Sequence, residues 1–303
     1  MQIEGERRMD KIKIILDTDI GSDCDDAGAL AILHNFADSD KAEIKAVVHC
    51  GSEISGAVAV KAINTWYQRS EIPVGKWNKS VFLEGETYRR YTSAIMEEYL
   101  KSHSMPEFED SVRVLRRTLA ENNGITIVVT GMLNNIAELL KSGSDDISPM
   151  SGIELVKNSV KDMYVMGGNF LDLSYAEFNI LTDTDSARFV AEKFPIPITY
   201  CGYELGENVL TGRSLKNASD EHPVKLAYKL HSHKNNSLRF SWDPITVYCA
   251  VEKDSAFYKK SEKKTILFDE KGRVIMRDNG KDCYMIASST NEEIQAELEK
   301  YMI

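Results

Sequence analysis

The chain is short of paired cysteine, of long apolar runs and of positive charge. Its five cysteines, Cys24, Cys50, Cys201, Cys249 and Cys283, are odd in number, widely spaced and never arranged as Cys-x-x-Cys. That excludes a disulfide framework and a zinc ribbon and leaves reduced core thiols, with Cys24 a buried thiol beside aspartates. No apolar stretch approaches the roughly 18 residues that a membrane-spanning helix needs, so no membrane partner is expected. The first residues are polar, and the apolar segment behind them runs straight into acids. This is not the pattern of a secretory leader, and a cytoplasmic protein is expected. A formal net charge of −10 argues against a nucleic-acid partner, because binding a phosphate backbone calls for a basic face. Repeats, low-complexity tracts and long linkers are missing too, so residues 1–303 are expected to form a single domain around one large core.

What the chain does contain is an alternation of strand and helix patterns. Lys11 to Leu16 is a short β-branched apolar run of the kind that makes a buried parallel strand. It stops at Asp17-Thr18-Asp19. Beyond Gly21, Ala29, Ile32, Leu33 and Phe36 return at helical spacing, with Asp25 and Asp26 ahead of them as first-turn acids. Strands are likewise predicted at residues 44–48, 125–129, 162–166 and 198–200, and helices at 56–67, 135–140 and 185–193. Such alternation predicts an α/β fold with an open, mostly parallel, Rossmann-like sheet flanked by helices. Near the end, residues 265–268, 273–276 and 283–286 flank turns at Lys271-Gly272 and Asn279-Gly280. These predict a small antiparallel meander ahead of a final helix.

In an open parallel sheet, ligands bind beyond the carboxyl ends of the strands. Asp17, Asp19, Asp23, Asp25 and Asp26 crowd there, five carboxylates within ten residues. A helix N-terminus stabilises one or two acids; the others repel one another and are expensive to desolvate unless a cation neutralises them. Oxygen donors without a histidine or thiolate cluster suit calcium or magnesium better than zinc. An EF-hand does not fit, since Gly21 stands where a ligand is needed and Gly28 where the last glutamate belongs. The competing readings are a solvent-facing acidic cap and a metal-dependent phosphatase that also begins with a strand and Asp-x-Asp.

The run Asp17-Thr18-Asp19-Ile20-Gly21-Ser22-Asp23-Cys24-Asp25-Asp26-Ala27-Gly28-Ala29-Leu30 resembles the signature of the inosine/uridine-preferring nucleoside hydrolases. Three further motifs follow in the family's order: Val129-Thr130-Gly131-Met132-Leu133-Asn134-Asn135-Ile136-Ala137, then Val165-Met166-Gly167-Gly168 leading to Ala176-Glu177-Phe178-Asn179, then Trp242-Asp243-Pro244. The resemblance implies a nucleoside hydrolase fold and an N-ribosyl hydrolase acting on small ribonucleosides. It also implies a homodimer or homotetramer and one calcium ion that holds the ribose diol and the attacking water. The carboxylates of Asp19, Asp26 and Asp243 and the backbone carbonyl of Thr130 would be the metal ligands, and Asp19 would take the proton from water. Asp25, Glu177 and Asn179 would bind the sugar hydroxyls, with Asn169 a further candidate contact and Trp242 beside the base. Cleaving an N-ribosidic bond builds positive charge on the sugar, which a carboxylate-rich floor stabilises, and a metal makes water easier to deprotonate.

This sequence departs from the pattern in three places. Two residues are inserted between Gly21 and the Asp25-Asp26 pair, so Asp23 competes for one of the pair's roles. Trp242 stands where well-studied members carry a histidine tied to the leaving group, which leaves room for a binding protein that kept only the calcium site. The loop from Gly168 to Glu177 is short. Plainer roles stay open for single residues: Asp25 as a helix cap, Thr130 as a strand end, Asp243 as an N-cap before Pro244, Trp242 as packing, and Glu177 with Asn179 on one exposed extended face. His231, Ser232 and His233 are read as surface residues, and Tyr203 and Glu204 as possible pocket lining.

Overall fold

The computed structural model describes residues 11–232, 234 and 236–303. Among the described residues thirteen strands follow one another: β1 (Ile12–Thr18), β2 (Ala42–His49), β3 (Val74–Lys76), β4 (Glu109–Asp110), β5 (Ile125–Val129), β6 (Val160–Met166), β7 (Ile198–Cys201), β8 (Leu210–Thr211), β9 (Arg239–Phe240), β10 (Tyr258–Lys260), β11 (Lys264–Phe268), β12 (Val274–Asp278) and β13 (Cys283–Ala287). Nine of them form one sheet in the order β10-β13-β7-β6-β5-β1-β2-β3-β4. Every neighbouring pair is parallel except β10 with β13 at the edge. The mostly parallel α/β sheet with a small antiparallel C-terminal part is therefore as the alternation predicts.

Both faces of this sheet are covered. Along β1, Ile14 and Leu16 enter one apolar cluster and Ile15 the other, and all three are fully buried. That is why β1 reads as a continuous apolar run rather than an alternating one. Strands β2 to β4 build out from one side of β1, and the chain then returns to lay β5 along the other. The order reverses between β1 and β5, so a crevice opens at their carboxyl ends. Asp17-Thr18-Asp19 and Val129-Thr130-Gly131 both arrive there, and the Thr130 N–H extends the ladder by donating to the Asp17 carbonyl at 2.7 Å.

The C-terminal meander needs a correction. β11 and β12 form the predicted hairpin, but β13 leaves it and joins the main sheet, parallel to β7 and antiparallel to β10. Two local features redirect the chain. The turn at Asn279-Gly280 folds so closely over the hairpin that a Cβ on Gly280 would lie 2.0 Å from the Lys264 carbonyl carbon. The Asp282 carboxylate then accepts the Ile198 N–H at 2.9 Å, docking the strand beside β7. Among the described residues no helix is long and apolar enough to cross a membrane.

Candidate active site

The acids expected at the end of β1 meet in the crevice, and each is held differently. The helix Asp25–Asp38 starts with Asp25 and Asp26 in its first turn, and neither caps it. Asp26 turns inward, where its Oδ1 accepts from the hydroxyls of Thr18 and Thr130. Asp25 reaches across to another helix, Trp242–Val251, and its Oδ2 accepts the N–H groups of Trp242 at 3.1 Å and Asp243 at 3.3 Å. Asp243 lies inside the first turn of that helix rather than at its N-cap, which is Ser241. Asp19 is approached so closely by β5 that a Cβ on Gly131 would sit 2.8 Å from the Asp19 nitrogen. A glycine is required there.

These side chains are nearly sealed: Asp25 and Asp26 are 1% exposed, Asp19 and Asp243 5%. Burial is the main reason that all four carboxyls lie well above their ordinary range. Repulsion adds to it, from Asp23 and Asp25 on Asp19, from Asp23 on Asp25, from Asp19 and Asp23 on Asp26, and from Asp25, Asp26 and Asp23 on Asp243. Two carboxylate oxygens in this group, Asp25 Oδ1 and Asp26 Oδ2, are buried without a hydrogen-bond partner. Asp23, Asp25 and Asp243 each bring an oxygen within 4.8 Å of the other two, a spacing that suits a metal ion.

A cavity of about 420 Å³ opens above the acids. Glu177, only 2% exposed, caps the short helix Phe178–Thr182 by accepting the N–H groups of Asn179 and Ile180 and also takes that of Gly168. Burial raises its carboxyl to about 7 in spite of those donors. The Asn179 side-chain amide donates to the Thr130 carbonyl at 2.8 Å. Glu177 and Asn179 thus share the cavity wall because a helix starts between them, and the extended-chain alternative is set aside. Trp242 is tied by its indole N–H to the Tyr203 carbonyl at 2.7 Å and stacks on the Tyr203 ring.

Residues 14–298 match the model of the inosine-uridine preferring nucleoside hydrolase family. The chain belongs to that family. It stands with the N-ribosyl hydrolases and not with the phosphatases. Solved structures agree on the fold. A nucleoside hydrolase of Bacillus anthracis superposes with a TM-score of 0.72 at 19% identity, over 96% of this chain and 97% of that one. A purine-preferring ribonucleoside hydrolase from Gardnerella vaginalis gives 0.70 at 19%, with 96% and 97% covered. The type III effector XopQ, solved with adenosine diphosphate ribose, gives 0.71 at 15%, with 97% and 94% covered. No curated protein matches this chain.

Of the residues singled out in the sequence of this family member, Asp19, Asp25, Thr130, Glu177, Asn179, Trp242 and Asp243 line the cavity, and so does Tyr203. Asp26 lies beneath it. Asn169 is not part of the lining; its side-chain oxygen accepts the N–H groups of Leu171 and Asp172 and shapes the loop. Glu204 accepts the Phe170 N–H. Surface placement of His231 and Ser232 is corrected: His231, the last residue of the helix Pro223–His231, faces the cavity, and Ser232 is buried. The helix C-terminus packs over the acids, a long-range placement with no local signal. His233 lies outside the described residues. Arg239, three residues before the Trp242-Asp243 motif, is a further lining residue whose only signal in the sequence is its charge beside that motif. It pairs with Asp23 at 2.5 Å.

Proposed function

We propose that this chain hydrolyses the N-glycosidic bond of ribonucleosides to free base and ribose, with calcium held by the carboxylates beneath the cavity. The observation that carries this reading is the Asp26 Oδ2 oxygen, buried without a donor among four nearly sealed acids at the floor of a cavity of nucleoside size. Buried carboxylates of one sign, left without donors, fit a bound cation. The donor set is all oxygen, which suits a hard divalent ion. Asp19, Asp26, Asp243 and the Thr130 carbonyl are the ligands we assign. Asp23, Asp25 and Asp243 are the rival set favoured by spacing alone. Against that rival, Asp23 already has Arg239 as its counter-charge, and one oxygen of Asp25 is taken by two backbone N–H groups.

When bound, the cation makes water a better nucleophile and neutralises the floor. Asp19 accepts the proton of the attacking water. Asp25, Glu177 and Asn179 hydrogen-bond the sugar hydroxyls, and the rings of Phe178, Tyr203 and Trp242 form the apolar wall that receives the base. All five cysteines are free and buried, which suits a reducing compartment, and a cytoplasmic enzyme of two or four copies completes the reading.

The test is release of reducing sugar from a panel of purine and pyrimidine ribonucleosides, with and without chelator, for wild type and Asp19→Ala. Chelator-sensitive release, lost in Asp19→Ala, is expected and names the base. Tight calcium binding without release from any nucleoside favours the second reading, a nucleoside-binding protein, which Trp242 in the place of the leaving-group histidine motivates.

A further inference from the structure

We infer that Arg239 stabilises the departing base, doing by fixed charge what Trp242 cannot do by proton transfer. The inference rests on the hydrolase reading above. Trp242 has its one polar hydrogen committed to the Tyr203 carbonyl at 2.7 Å, and an indole does not titrate as an acid. The group next to it is Arg239. Its backbone is set in β9, paired antiparallel to β8, which delivers the side chain into the cavity wall. The guanidinium carbon lies 5.1 Å from the centre of the Trp242 ring and 5.8 Å from that of Phe240. One edge is fixed by Nη2, which donates to Asp23 Oδ2 at 2.5 Å. The Nε–H is buried and unpartnered, with Asp25 Oδ1 at 3.7 Å and out of hydrogen-bond reach. A planar cation is therefore held against the aromatic wall with donor capacity left over.

The role follows from the electron count. The C1′–N bond breaks with its electron pair on the base nitrogen, a water oxygen bonds to C1′, and the proton of that water passes to the Asp19 carboxylate. The base leaves as an anion and takes a proton from solvent afterwards. Without a proton donor, the developing charge needs a preorganised cation, and arginine stays charged at every working pH. Asp23 gains a role as well: the inserted acid positions the guanidinium. The rival is His231, which also lines the cavity and whose Nδ1 lies 3.1 Å from the Ser232 hydroxyl.

The experiment compares full-length wild type, Arg239→Gln, Arg239→Lys and His231→Gln on two substrates, both with saturating calcium. One is the best natural ribonucleoside. The other is 4-nitrophenyl riboside, whose leaving group departs as a stable anion unaided. Arg239→Gln is expected to lower kcat on the nucleoside by about 100-fold and on 4-nitrophenyl riboside by less than about 3-fold, the size of loss seen when one preorganised donor is removed. Arg239→Lys should recover part of the nucleoside rate. Equal losses on both substrates reduce Arg239 to a prop for Asp23 and overturn the inference. So does a selective loss in His231→Gln with Arg239→Gln unaffected. If wild type turns over neither substrate, the hydrolase reading itself falls and takes the inference with it.

Discussion

Two regions of this molecule bury charge, and they do so in opposite ways. On one face of the sheet, Arg116 is 1% exposed, yet its guanidinium is fully engaged. It makes two hydrogen bonds to Asp145, and donates to the Ser142 hydroxyl and to the carbonyls of Ser148 and Met150. Arg116 holds the Asp145 carboxyl down at about 2. At the carboxyl end of β1, four comparably buried acids face one another, their carboxyls lie above the ordinary range, and oxygens are left unpartnered. Satisfied buried charge is structural, whereas buried charge left only partly satisfied marks a place prepared for a ligand.

The contrast can be broken from either side. The largest effect is expected at the satisfied end: Arg116→Met leaves the Ser148 and Met150 carbonyls without their donor and should destabilise the fold by about 3 kcal/mol. Activity per folded molecule should be unaltered, which urea denaturation and turnover measured in parallel will check. The opposite result, a stable variant with lost activity, would move Arg116 into the functional machinery.

A smaller effect is expected at the unsatisfied end. Because Asp19, Asp25, Asp26 and Asp243 have raised carboxyls, these four groups hold more protons in the metal-free folded state than in the unfolded chain, whereas His34, His49 and His222, lowered to about 4 by burial, hold fewer up to the ordinary histidine range near about pH 6.5. Once the histidines no longer differ, above the ordinary histidine range, stability should therefore fall as pH rises and these carboxyls lose their protons. Asp26→Asn should make that slope shallower, and saturating calcium should flatten it. A slope identical with and without calcium would mean that these carboxylates do not hold the ion. The same titrations separate the two ligand sets, since Asp26→Asn should weaken calcium binding more than Asp23→Asn. The smallest effect is at the cavity wall. Trp242→Phe keeps the stacking but leaves the Tyr203 carbonyl without its donor, and should lower stability by about 1 kcal/mol. A larger loss would show that the indole N–H organises the cavity.

Much of the fold was legible because buried parallel strands announce themselves as short β-branched apolar runs, as β1 and β5 do. β13 was misplaced because hairpin turn signals are local, while its docking depends on Asp282 meeting Ile198 across 84 residues of chain. The site divides in the same way. The motif acids were visible as a cluster and a resemblance, but Asp25 capping a helix 217 residues away was not. Neither was His231 turning into the cavity.

By itself, then, the sequence determined the chemistry that must be housed. Five carboxylates within ten residues after a buried strand repel one another whatever surrounds them, and a hard cation is the simplest remedy. Only the tertiary structure decided which oxygens stay unpartnered and which acid receives an arginine, because hydrogen-bond partners come from strands and helices far apart in the chain. Asp23 and Asp26 are alike in sequence. Packing gave one of them Arg239 and the other two threonine hydroxyls and an oxygen without a donor.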